Sequence, residues 1–429
     1  MAGVAVGALL LAGCTSGGET RWGAGDEDPS QTSSTDAGRA PTQSPLPQDV
    51  SGYAGDVRRL WSTPEVKTEN SVNTIWITGT TVATVTAGGV SAYAPDTGEE
   101  LWHLQSPEGA GEPCWSSTTL NGDDIGAVLY TSRDEGTCSI VAAVHAGIGE
   151  VLWSQPLSDP HGRAIVSGVS AGLEAITVSL GGRGGYFRFS VDSGERLPAL
   201  KVPAAETCRP YGWQHSARFS VVVTNCEEVG AYVFDTESGD LLFSIPGPVL
   251  LDGLAVVPGE RLALWQDETL VVFDDDGEVT QEITVPDGRS AGTQAVVTDS
   301  AVVGLSGSEQ STPRYPHYAG WDLETGQQLW RAMLPGSDWY PSLWHRPGDA
   351  QILVEYPAWA DNGAGVREYD QRLGWLDPRD GSLVDAGALP ETADVMTFDL
   401  VPDGQVVYAL TRPAEKMGHV HLVAYELPG

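Results

Sequence analysis

The side chains best equipped for chemistry in this 429-residue chain are few, and their spacing argues more for structure than for reaction. His419 and His421 alternate along one predicted strand face and could share a metal, but two histidines alone make an incomplete ligand set. Asp123-Asp124 and Asp274-Asp275-Asp276-Gly277 resemble fragments of calcium loops; no bidentate Glu follows at the required distance, so both read as turns. The run Gly181-Gly182-Arg183-Gly184-Gly185 precedes a strand and opens no helix, which speaks against a phosphate cradle. The cysteines are Cys14, Cys114, Cys138, Cys208 and Cys226, with no adjacent pair, no C-x-x-C and no haem-attachment C-x-x-C-H. No catalytic residue, metal site or cofactor is assigned on this basis.

The elements that carry these residues repeat. Trp321-Asp322-Leu323-Glu324-Thr325-Gly326-Gln327-Gln328-Leu329-Trp330 reads as strand, tight turn, strand. Asp hydrogen-bonds its own downstream backbone and Gly accepts positive φ, so together they specify the corner. Related hairpins centre on Gly98, Gly149, Gly194, Gly239, Gly277 and Gly381. From Gly98 to Gly381 there are six intervals over 283 residues, about 47 each. Two further strands precede each hairpin, and helical periodicity is nowhere sustained. A period of 40–50 residues with four short strands per unit predicts an all-β propeller.

The chain ends set the blade number. His421–Leu427 matches a third strand, since Ala424-Tyr425 mirrors Ala92-Tyr93, but no fourth strand follows. Arg59-Leu60-Trp61 matches the fourth-strand pattern of Glu100-Leu101-Trp102 yet has no blade before it. Joining them completes an eighth four-stranded antiparallel blade and closes the ring.

The turn pattern A-x-D-x-x-T-G-x-x-x-W resembles the PQQ-like, quinoprotein-type β-propeller repeat, best at Trp321–Trp330 and well at Val90–Trp102. The resemblance implies a docking role, blade against blade, for Trp61, Trp102, Trp153 and Trp330 and for Gly98, Gly149, Gly239, Gly326 and Gly381. Quinoprotein alcohol dehydrogenases of this fold use a disulfide of adjacent cysteines, calcium and a Trp stacked on the quinone. This chain has no adjacent cysteines, so PQQ and calcium are not expected. Fold alone does not carry the activity.

Relative to their turn Gly, Cys114 and Cys138 lie 35 and 11 residues upstream, and Cys208 and Cys226 lie 31 and 13 upstream. These near-equal offsets favour Cys114–Cys138 and Cys208–Cys226 among the three pairings, with one Cys before the first strand and one between the second and third. A zinc site is the rival reading.

Aromatic residues gather on or before first strands, which line a propeller's channel: Trp76, Trp115, Tyr211, Trp213, Trp339, Tyr340 and Trp344. They form either a stacking platform for a partner or ligand, or a plug packed between blades. The segments 307–317 and 356–371 are long enough to extend one rim.

The charge balance is 23 basic against 58 acidic residues, a net of −35, which repels nucleic acid and anionic lipid. Residues 1–13 read as a lipoprotein signal peptide, because a short apolar run ends in Leu11-Ala12-Gly13-Cys14 and so resembles a bacterial lipobox. That implies acylation of Cys14. No Lys or Arg precedes the run, so either translation starts upstream of Met1 or the signal is weak. Residues 14–50 read as a flexible Gly/Ser/Thr/Pro tether, and 51–429 as the propeller. The expected protein is a monomeric, membrane-anchored, extracytoplasmic bacterial lipoprotein of the cell envelope, a non-catalytic scaffold for a protein partner. The alternatives are a quinoprotein oxidoreductase, a hydrolase with a rim site, or a carbohydrate-binding surface protein.

Overall fold

The computed structural model describes residues 57–428 apart from 68–71, 134–136, 158–165, 181–185, 204–209, 216–217, 225–228, 248–253, 258–260, 267–268, 275, 285–294, 306–316, 335–341, 346–349, 362–366, 391–394 and 414–417. Cys14, Cys208, Cys226, Trp339 and Tyr340 lie outside the described residues, and so does the N-terminal segment through residue 56. The described chain is all strand and turn. Eight antiparallel blades form a β-propeller.

Seven blades are built from consecutive strands. They run Thr74–Leu104, Ala110–Pro156, Val166–Leu197, Pro210–Pro246, Leu254–Thr284, Val296–Met333 and Ser342–Ala388, and are numbered 1 to 7 here. Blade 8 takes three strands from the C-terminal region, Val395–Asp403, Val406–Pro413 and His419–Glu426. Its outer strand is Arg58–Ser62, which pairs Arg58 with Glu426 and Ser62 with Val423. A two-residue strand, Val66–Lys67, continues along the same neighbour. The ring is therefore closed by joining its first strand to its last.

The core is divided among the seams between blades. Strand faces of blades 1 and 2 share Trp76, Val85, Val90, Val128 and Val144. Blades 8 and 1 share Trp61, Ile75, Tyr93, Tyr408 and Leu422. Each blade is apolar on both faces because it has a neighbour on both sides, which is why inner strands such as Val82–Thr86 and Ala175–Leu180 are buried throughout.

Antiparallel order fixes where the connections emerge. Turns joining strands one to two and three to four lie on one face of the ring, here called the corner face. Connections from two to three, and from blade to blade, start and end on the other. Residues 356–361 and 367–371 continue as paired strand: Ile352–Asp361 pairs with Arg367–Leu376 along its whole length.

Candidate functional site

The repeated motif is spent on structure. At Trp321–Trp330, the Asp322 carboxylate accepts bonds from the Glu324 amide (3.1 Å), the Thr325 amide (2.8 Å) and the Thr325 hydroxyl (2.8 Å). Those bonds, the Thr325 hydroxyl first, hold its pKa below the usual carboxylate range. Gly326 takes φ of 68°, which a side chain would strain. Asp235 and Asp377 cap equivalent turns.

Docking between blades follows one geometry. A side chain from one blade's outer strand lies flat on the turn Gly of the next. Trp61 covers Gly98, Trp102 covers Gly149, Trp153 covers Gly194, and Trp330 covers Gly381, each so closely that a Cβ on the Gly would collide with the indole. The indole N–H of Trp61 donates to Pro95 carbonyl (2.9 Å) and that of Trp330 to Pro378 carbonyl (2.8 Å), in each case the third residue before the Gly. Trp153 does the same at Val191. Trp102 has no such bond; the matching carbonyl, Ala146, accepts the Thr81 hydroxyl instead. Phe243 on Gly277 and Gln281 on Gly326 complete two more seams without indoles.

A bulge aims these side chains. In six outer strands the register skips one residue immediately before the docking position: Leu60, Leu101, Leu152, Leu242, Thr280 and Leu329. The extra residue turns its successor inward and projects away itself. Leu101, Leu152, Leu242 and Leu329 are exposed as a result.

The seam from blade 3 to blade 4 departs from this plan. Pro198 stands four residues after Gly194, where other blades place the docking residue, and the outer strand there is only Arg196–Leu197. Arg188, on the third strand of blade 3, fills the space over Gly239 and is 2% exposed. Its guanidinium donates to the carbonyls of Thr236 (2.9 Å), Glu237 (2.6 Å) and Ser238 (3.2 Å) across the seam, and to Pro198 (3.2 Å) in its own blade. Burial pulls its pKa down, opposed by the carboxylates of Glu237, Asp235 and Asp240. Glu237 reaches back, accepting from the amides of Leu173 (2.6 Å) and Glu174 (2.7 Å).

The aromatic residues predicted to form one platform do not share a setting. Trp76 is 1% exposed; its indole donates to Ser117 carbonyl (2.8 Å) and lies on Gly126, so it is seam packing between blades 1 and 2 and no part of an accessible face. Trp344 is half-buried beside the cluster shared by blades 7 and 8, its indole N–H buried without a partner. Trp115, on the innermost strand of blade 2, is 40% exposed. Tyr211 and Trp213 lie on the innermost strand of blade 4, and their side chains are outside the described set.

Cys114 and Cys138 form a disulfide. Cys114 sits within the first strand of blade 2 and Cys138 opens the third, so the bridge crosses one blade; the expected place before the first strand is corrected by two residues of pairing that precede it. His421 shares a hydrogen bond with Thr411 (3.1 Å) inside blade 8, and burial lowers its pKa. Asp274 caps its own turn through the Asp276 and Glu278 amides. Among the described residues no three His, Cys, Asp or Glu side chains gather closely enough to hold a metal. Gly168-Val169-Ser170-Ala171-Gly172 has the G-x-S-x-G spacing of a hydrolase elbow, but it runs along the first strand of blade 3, leaving Ser170 buried in a sheet instead of presented on a strand-to-helix turn.

Comparison with known proteins agrees with the repeat. Residues 16–199 match the family model described as outer membrane protein assembly factor BamB. The match covers less than half of the chain, and it agrees with the eight blades in supporting repeats of the PQQ-like type. BamB from Moraxella catarrhalis superposes with a TM-score of 0.51 at 14% identity, over 86% of this chain and 99% of that one. A computationally designed protein, Ika8, superposes with a TM-score of 0.56 at 15% identity, over 86% and 100%. At these identities the likeness is one of fold. No curated protein matches the propeller by sequence.

The residues that the motif does not reveal lie on the corner face. Ile148 and Leu173 are the two most exposed large apolar side chains among the described residues, at 61% and 55%. Each sits at the tip of a turn, where polar residues are usual, and an apolar residue between turn glycines or beside one is the signal that marks them.

Proposed function

We propose that this protein is a lipid-anchored, extracytoplasmic propeller that binds a protein partner and performs no chemistry of its own. The observation that carries this reading is the contrast between committed and exposed side chains. The Asp, Thr and Trp of the repeat are engaged in turn capping and seams, while large apolar side chains such as Ile148, Leu173, Leu101 and Leu152 stand open among the carboxylates of the corner face and outer rim. Rigid apolar groups held at the surface of a stiff scaffold are what protein interfaces use as anchors. The match to a family described as an assembly factor supports the same class of role. Acylation of Cys14 and a tether over residues 14–50 would display the ring beside a membrane. No PQQ, calcium or other cofactor forms part of this proposal, since Cys114 and Cys138 bridge strands of one blade and no two cysteines are adjacent in the sequence.

Three measurements test it. Cross-linking on intact cells should recover a protein partner, and recovery of lipid alone would end the scaffold reading. Palmitate labelling should disappear in Cys14→Ala; equal labelling contradicts the anchor. PQQ with calcium should change neither the absorbance nor the melting temperature of the purified protein, and a change in either would restore the oxidoreductase. A second reading, carbohydrate stacking, is favoured only by the exposure of Trp115 on the innermost strand.

A further inference from the structure

We infer that a ribbon on the corner face of blades 2 and 3, running from Leu173 to Ile148, is the docking surface, and that its occupant is a protein segment carrying both basic and apolar side chains. This rests on the protein-binding role proposed above and gives it a place and a chemistry.

The ribbon is continuous. Leu173 caps the first turn of blade 3, and its side chain lies so close against Gly122 of the first turn of blade 2 that a Cβ there would stand 3.1 Å from it, tighter than an ordinary van der Waals contact. Two residues on, the Asp124 carbonyl accepts the Ala146 amide (2.8 Å), and the Asp124 carboxylate lies beside Gly147. Ile148 follows directly. Two adjacent blades thus place their two most exposed apolar side chains at the ends of one strip made otherwise of glycine, backbone and carboxylate.

The strip is also held still. Asn121 donates to Gly172 carbonyl (2.8 Å) and caps the amides of Asp123 and Ile125 (both 2.9 Å). From the other side Glu237 of blade 4 grips the Leu173 and Glu174 amides, and Arg188 fixes the turn that carries Glu237. Asp124 takes φ of 59°, the one non-glycine residue with positive φ among those described. Exposed leucines scattered singly need no explanation. A leucine whose backbone is clamped by both neighbouring blades, yet whose side chain is left in water, has the ordering cost of its backbone already met and suits a point of contact.

Charge selects the occupant. The three turns, residues 117–124, 145–150 and 172–174, carry Asp123, Asp124, Glu150 and Glu174 and no Lys or Arg. On a chain of net −35, this surface attracts a basic segment and repels an acidic one or an anionic lipid surface. A partner segment that sets apolar side chains on Leu173 and Ile148 and places Lys or Arg against the flanking carboxylates fits both features.

The test uses two fluorescent 18-residue peptides of Leu and Lys with the same composition, one amphipathic and one scrambled, titrated into the full chain. Wild type should bind the amphipathic peptide about 10-fold more tightly than the scrambled one, because only it offers an apolar face with a basic border. The double variant Ile148→Ser/Leu173→Ser should erase that difference at unchanged melting temperature. Val279→Ser/Met333→Ser, which removes exposed apolar groups from blades 5 and 6, should keep it. Glu150→Gln/Glu174→Gln should weaken both peptides and flatten the salt dependence. Equal affinity of wild type for the two peptides, or equal effects of the two double variants, overturns the site. A partner then cross-linked in cells through the opposite face would leave the protein-binding role standing, whereas no partner through either face ends both.

Discussion

The seams at Trp330 and at Arg188 solve the same problem with opposite chemistry. At the first, a bulge before Trp330 turns an indole onto Gly381, and one N–H meets one carbonyl. At the second, Pro198 ends the outer strand early, and a guanidinium from the neighbouring strand covers Gly239 and meets three carbonyls of the facing turn. Arg188 Nη2 donates to Thr236, again the third residue before the Gly, so the carbonyl that the indole serves elsewhere is served by the guanidinium here. The seam demands a flat group that fills the space over a glycine and supplies a donor. It does not demand Trp. The Arg seam continues outward, through the Glu237 carboxylate, to the turn that presents Leu173.

Breaking the regular seam should cost most. Trp330→Ala leaves a cavity over Gly381 and should lower stability by about 3–5 kcal/mol, read by chemical denaturation. A loss below about 1 kcal/mol would mean that the seams do not hold the ring. Cutting the bridge within blade 2, by Cys114→Ser with Cys138→Ser, should cost about 3 kcal/mol in the chain-entropy model and leave the seams intact. Arg188→Met keeps the bulk but removes the donors, and should cost about 2–3 kcal/mol. Unlike Trp330→Ala, it should also speed hydrogen exchange at the Leu173 and Glu174 amides, because the Glu237 turn is released. Asp322→Ala should be milder, at about 1 kcal/mol, since turn capping at the surface competes with water.

The closure seam adds a dependence on pH. His421 in blade 8 is held neutral chiefly by burial, with Arg59 adding to the effect and Glu65 opposing it. A base whose folded pKa lies below its unfolded value of about 6.5 binds its proton more readily in the unfolded chain. Its contribution to stability is therefore complete above that value and is lost as pH falls below it. His421→Gln should flatten the fall in melting temperature between about pH 7 and 5 relative to wild type. An unchanged slope would remove His421 as its source.

Most of the fold can be read from the chain because the repeat rewrites the same physics at each blade. A capped turn, a positive-φ glycine and a bulky residue four positions later mark Gly98, Gly149 and Gly326, and the incomplete patterns at Trp61 and Tyr425 mark the closure. The Leu that precedes each docking aromatic is legible too, once a bulge is recognised as its cause. Arg188 is not, because its docking side chain comes from a different strand and no spacing rule announces the exchange. Trp76 misleads for a related reason: an aromatic residue on an inner strand can face the channel or the next blade, and one residue of register decides which. The ribbon from Ile148 to Leu173 is hidden because its parts are 25 residues apart and meet only through the turn at Asn121–Asp124.

The central claim is that the exposed ribbon binds while the seams only hold the ring. It is tested most directly by partner recovery in cells from the full-length chain, with the melting temperature of each variant measured alongside. Ile148→Ser/Leu173→Ser should lose the cross-linked partner while its melting temperature stays at the wild-type value. Retention of the partner by that variant, or its loss only in step with a lowered melting temperature, would contradict the account.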